Sequence, residues 1–84
     1  MKDKIWYQVM ALYNGMCIHC FGRANSVHEI IPKSLAPRTW NRLENRVPLC
    51  LSCHAWAQID TEVSCEILEA DKIRALKVLN KTLP

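Results

Sequence analysis

The sequence predicts a small α+β domain, on three observations. Apolar residues recur at helical spacing at both ends of the chain. Two short β-like runs, Ser26 to Ile31 and Arg46 to Leu49, lie between them. Four of the five cysteines form two C-x2-C pairs, Cys17/Cys20 and Cys50/Cys53. Eighty-four residues allow one domain, 1–84. A chain this short buries a small fraction of its surface, so its core needs a staple.

Residues 4–13 place Ile5, Trp6, Val9, Leu12 and Tyr13 at helical spacing, with Asp3 as N-cap and Asn14-Gly15 as stop signal. This is a packing helix, and Trp6 and Tyr7 read as core aromatics rather than a base-stacking pair. Met16 to Phe21 forms a tight turn holding Cys17 and Cys20, with Gly22 supplying backbone freedom beside it. Two thiolates three positions apart both reach one tetrahedral ion, and a second pair after 29 intervening residues predicts a four-cysteine structural zinc. The odd cysteine count and the lack of a secretory signal argue against a disulfide framework. A site of three cysteines and His19 is formally possible; the plainer reading leaves His19 facing solvent. A redox pair at Cys17 and Cys20 is a weaker rival, and Cys65 reads as a small buried apolar residue.

Ser26 to Ile31 is ended by Pro32, residues 33–44 read as a loop, and Arg46 to Leu49 is a second strand that Pro48 marks as an edge. Ser52 is the expected N-cap of a helix over about Cys53 to Ile59. From Thr61 to about Lys81, Ile67, Leu68, Ile73, Leu76 and Leu79 give an amphipathic pattern. It is either one helix or two with a break near Ala70, with Asp71 as a candidate cap. Packing against the first helix is its expected task, and a partner-binding or dimer-forming face is the alternative.

Eleven Lys and Arg against eight Asp and Glu give a net charge of +3. The excess is concentrated in residues 22–46, where Arg23, Lys33, Arg38, Arg42 and Arg46 face only Glu29 and Glu44. A phosphate-facing surface is expected there. The first 20 residues hold no long apolar run, so no membrane association and a cytoplasmic location are expected.

Between the cysteine pairs lie His28, Glu29 and Asn45, and His54 follows directly after Cys53. Two imidazoles, a carboxylate and an amide are the parts that metal-assisted phosphodiester hydrolysis needs: groups to hold an ion, a base to deprotonate water, and something to orient that base. At this point the chain resembles the HNH endonuclease family, in its branch of ββα-metal nucleases with a four-cysteine zinc. The residues that carry the resemblance are Cys17 and Cys20, His28-Glu29-Ile30-Ile31-Pro32, Asn45-Arg46-Val47-Pro48-Leu49-Cys50, and Cys53-His54. They span residues 17–54, within a motif core of 17–59.

The resemblance implies a zinc-stapled ββα unit flanked by an N-terminal helix and a C-terminal helical region. It makes Cys17, Cys20, Cys50 and Cys53 zinc ligands, and His28 and His54 ligands of a catalytic Mg²⁺ or Mn²⁺, with Zn²⁺ also chemically admissible. Asn45 would position the base or its loop. Gln58 stands where some members add a ligand, one helical turn after His54. Glu29 departs from the commoner pattern, which has histidine there. Either Glu29 is the general base, or His28 is the base while Glu29 binds metal, or the site has decayed. The implied function is metal-dependent cleavage of DNA by a stand-alone phage or bacterial nuclease, with Arg38, Arg42 and Arg46 on phosphates. Such contacts read no sequence, so low specificity or targeting by a partner is expected. The alternative is a non-catalytic zinc-bound nucleic-acid or protein adaptor.

Overall fold

The computed structural model describes residues 2–83. In chain order these form α1 (Lys4–Leu12), β1 (Ser26–Glu29), β2 (Arg46–Leu49), α2 (Leu51–Ile59) and α3 (Thr61–Leu79), with one 3-10 turn over Leu43–Asn45. The two strands make one antiparallel sheet, with Ser26 opposite Leu49, Val27 opposite Pro48, His28 opposite Val47 and Glu29 opposite Arg46. The fold is thus α+β, three helices on a two-stranded sheet.

α1 starts where the Asp3 carboxylate accepts the Trp6 N–H at 2.8 Å and ends where Asn14 and Gly15 take positive φ angles of 55° and 68°, a turn that glycine makes without strain. Val9 and Tyr13 face the core with Ile18, Ile30, Val47, Leu49, Ala57, Leu68 and Ala75. Tyr7 is 58% exposed and Trp6 half-buried, so neither is the core aromatic expected. Within α1 the buried residue is Val9.

β2 is buried at all four positions, while β1 is half-buried at all four. The Pro48 carbonyl accepts the Ile18 N–H at 3.2 Å, which ties β2 to the first cysteine turn. α2 begins at Leu51, earlier than expected. Its cap is Cys50, whose sulfur accepts the Cys53 N–H at 3.5 Å, and the Ser52 hydroxyl lies 3.4 Å from the same sulfur. α3 is one unbroken helix capped by Asp60, and Asn80 closes it with a φ of 55°. Asp71 is therefore not a cap. It sits mid-helix, buried, paired with His19. Among the described residues no helix is long and apolar enough to cross a membrane.

The corner between α1 and β2 is held by charge. Arg46 Nη1 lies 2.9 Å and 3.1 Å from the two Asp3 carboxylate oxygens and 2.6 Å from Asn41 Oδ1. The Arg46 guanidinium, with the Trp6 N–H, holds the Asp3 carboxyl below the usual carboxylate range. A depressed folded-state pKa stabilises above the unfolded value and is lost as pH falls through the carboxylate range. Asp3→Ala removes cap and ion pair together and is expected to lower stability by about 1–2 kcal/mol at neutral pH. The deficit relative to wild type should shrink on acidification towards pH 3, measured by urea unfolding at both pH values.

Candidate metal centre and active-site cleft

The four cysteines expected to share an ion do come together. Cys17 and Cys20 sit on the turn before β1, Cys50 caps α2 and Cys53 lies in its first turn, and all four sulfurs fall within 4.8 Å of one another. Four sulfurs each about 2.3 Å from a tetrahedral centre would stand about 3.8 Å apart, and Cys20 Sγ to Cys50 Sγ is 3.8 Å. Backbone amides point at the sulfurs: Gly22 N–H donates to Cys20 at 3.4 Å and Cys53 N–H to Cys50. The Ser52 hydroxyl and the Cys53 N–H bring the Cys50 thiol down to about 6, whereas burial and then the neighbouring thiols push Cys53 well above the usual thiol range. A cation among them resolves that opposition. The cluster can hold a metal ion such as zinc.

The turn achieves this differently from expectation. Phe21, not Gly22, takes the positive φ, 65°. The value of Gly22 is close approach, because a Cβ there would meet Cys20 Sγ at 3.3 Å. His19 is no ligand and does not simply face solvent. Its ring stacks on Trp56 with centroids 4.4 Å apart, and Nδ1–H donates to the Asp71 carboxylate at 2.6 Å. Arg74 pairs with Asp71, donates to the His19 carbonyl at 3.0 Å and covers the Phe21 ring at 4.6 Å. The cysteine turn is thereby latched to α3. Cys65 is half-buried on α3, away from the cluster.

A cleft of about 620 Å³ opens beside the sheet, and His28, Glu29, Arg46, His54 and Gln58 all line it. The His28 and His54 rings meet edge to face with centroids 5.1 Å apart. Burial, and then the neighbouring His54, lowers the His28 pKa to about 4, and burial lowers that of His54. Both rings are therefore neutral at neutral pH and offer nitrogen lone pairs. His28 Nε2 is buried and has no hydrogen-bond partner among the described residues. Glu29 follows His28 at the end of β1, in register with Arg46, and lines the same cleft. No ion pair to Glu29 is found among the described residues.

Asn45 does not line the cleft. It closes the loop that carries the cleft wall: its Oδ1 accepts the Ile31 N–H at 2.9 Å, and its Nδ2 donates to the Ile31 and Trp40 carbonyls at 3.0 and 2.9 Å. Asn45 is expected to position the base or the loop carrying it; its side chain ties the backbone at Ile31 to that at Trp40. Asn45→Ala removes three part-buried hydrogen bonds to backbone groups and is expected to cost about 1–3 kcal/mol. Asn45→Asp should cost nearly as much, because it sets a carboxylate oxygen against two carbonyls. Thermal unfolding of both variants checks this.

Of the three expected phosphate contacts, Arg38 and Arg42 are exposed. Arg46 is corrected: it is 6% exposed, and Asp3 and Asn41 engage its guanidinium, so it acts as a corner bracket rather than a free surface cation. Two further residues line the cleft: Trp6, expected in the core, and Trp40, within the loop over residues 33–44. The charge beside each was a usable signal, since Lys2 and Lys33 lie within 5.0 Å of their rings. Compared with protein-family models, with curated proteins and with solved structures, the chain matches none.

Proposed function

We propose that this protein is a metal-dependent DNA endonuclease of the HNH type, with zinc on Cys17, Cys20, Cys50 and Cys53 as its structural staple. The observation that carries the reading is the His28–His54 pair in the cleft, with a buried imidazole nitrogen that no group among the described residues satisfies. Such an orphaned acceptor or donor calls for a missing partner. Two strands followed by a helix, with the thiol cluster joining their ends, support the same reading.

In this site His28 and His54 would hold a divalent ion, Mg²⁺ or Mn²⁺, with Gln58 nearby on the cleft wall. When bound, the ion supplies charge neutralisation at the scissile phosphate and the leaving oxygen. Glu29, which pairs with no cation among the described residues and lines the same cleft, takes the proton of the attacking water. Asn45 acts at a distance, by fixing the backbone at Ile31 just beyond Glu29. Arg38 and Arg42 contact phosphates without reading sequence.

Supercoiled plasmid incubated with the zinc-loaded protein, with and without added Mg²⁺ or Mn²⁺, tests this. Relaxation or linearisation that requires the added metal is expected. A folded, zinc-loaded protein that cuts under none of these conditions would be the non-catalytic adaptor instead.

A further inference from the structure

The chain has three tryptophans, and they are used in two ways. Trp56 packs against the core and stacks on His19. Trp6 and Trp40 have no place in the core; they line the cleft that holds His28 and His54. An indole left half in water forfeits burial that a large aromatic ordinarily contributes. Each cleft indole also has an ammonium over one face, Lys2 Nζ at 4.9 Å from the Trp6 ring centroid and Lys33 Nζ at 5.0 Å from that of Trp40, so a base would stack on the other face or displace the lysine.

Flat aromatic faces beside positive charge, within a concave space, are what single-stranded nucleic acid binds: the base stacks on the ring and the backbone phosphate meets the cation. A regular duplex offers phosphates to a cation but no free base face, since its bases are stacked inside. The cleft, at about 620 Å³, lies in the range that encloses a small organic molecule and suits an unpaired or flipped-out nucleotide. We infer that this cleft takes an unpaired nucleotide with its base on Trp6 or Trp40, so that the substrate is single-stranded or locally unwound DNA. The inference rests on the nuclease reading for what happens next, but binding itself does not require cleavage.

The test is fluorescence anisotropy with a labelled oligothymidylate and a labelled hairpin duplex of equal length. It is run at low salt on the zinc-loaded protein with no added divalent metal, so that cleavage plays no part. Binding of the single strand about tenfold tighter than the duplex is expected. Trp6→Leu and Trp40→Leu, which keep apolar bulk and remove the stacking face, should each weaken single-strand binding about tenfold, with thermal unfolding near wild type. Duplex binding as tight as single-strand binding, or folded leucine variants that bind unchanged, would overturn the inference. Plasmid cutting that persists alongside either result would leave the nuclease reading standing and remove only this one. Selective single-strand binding by a protein that never cuts would do the reverse.

Discussion

Removing the metal from the four thiolates, or replacing Cys17 by serine, is expected to unfold the protein. The apolar core is small, built from side chains such as Val9, Tyr13, Ile18, Leu49 and Leu68, and domains of this size are held by about 5–15 kcal/mol at most. Structural zinc in small domains contributes about 10–16 kcal/mol at neutral pH, comparable with or larger than that whole margin. Cys17 and Cys53 are buried, so losing the cation leaves sulfurs packed against one another with nothing to balance a negative charge. The thermal transition seen by near-ultraviolet circular dichroism should be cooperative for the loaded protein and absent after chelation or in Cys17→Ser, and zinc should restore it only in the wild type. A chelated protein that kept its transition would show the cluster to be dispensable.

His54→Ala is expected to abolish cleavage while leaving the fold in place. His54 is half-buried and its backbone N–H donates to the Cys50 carbonyl at 2.9 Å, a bond that alanine keeps. The loss should be at least 10²-fold, the scale on which removing a positioned catalytic group acts. His28→Ala should match it, since either imidazole alone is half of the pair. Glu29 separates the mechanisms: Glu29→Gln keeps shape and loses basicity, so a fall of about 10²-fold or more marks it as the base. Activity close to wild type in Glu29→Gln would move the proton-accepting role to His28. Initial rates of plasmid nicking at saturating Mg²⁺, with unfolding curves for each variant, distinguish these outcomes.

The residues that were legible in the sequence are those whose partners lie close in the chain. Asp3 caps a helix three residues on, Arg46 to Leu49 is a strand, and the C-x2-C spacing declares a shared ion. What sequence reasoning missed is set by partners far away. Asp71 looked like a cap because nothing nearby reveals His19, 52 positions earlier in the chain, as the donor to its carboxylate. Arg46 looked like a phosphate ligand because Asp3 lies 43 positions away. Ser52 lost the capping position to Cys50 because a sulfur held at the cluster is already aimed at the Cys53 N–H. Trp6 fits the helical period and shares a helix face with Val9, yet Val9 alone is buried and Trp6 lines the cleft. Periodicity finds a helix more readily than it finds which aromatic a cleft will keep.

The sulfur cluster has a further consequence for the topology of the chain. It joins Cys17 and Cys20 to Cys50 and Cys53, so with an ion in place the polypeptide between them is a closed ring. Its outermost arc, from Lys33 to Arg42, is almost wholly exposed turn and carries Lys33, Arg38 and Arg42, the side chains trypsin cleaves after. A protease that severs the ring there opens it without separating its halves, because the ion and the Ile18–Pro48 backbone bond still span the cut. The two fragments should migrate together under native conditions and part only when the metal is drawn out.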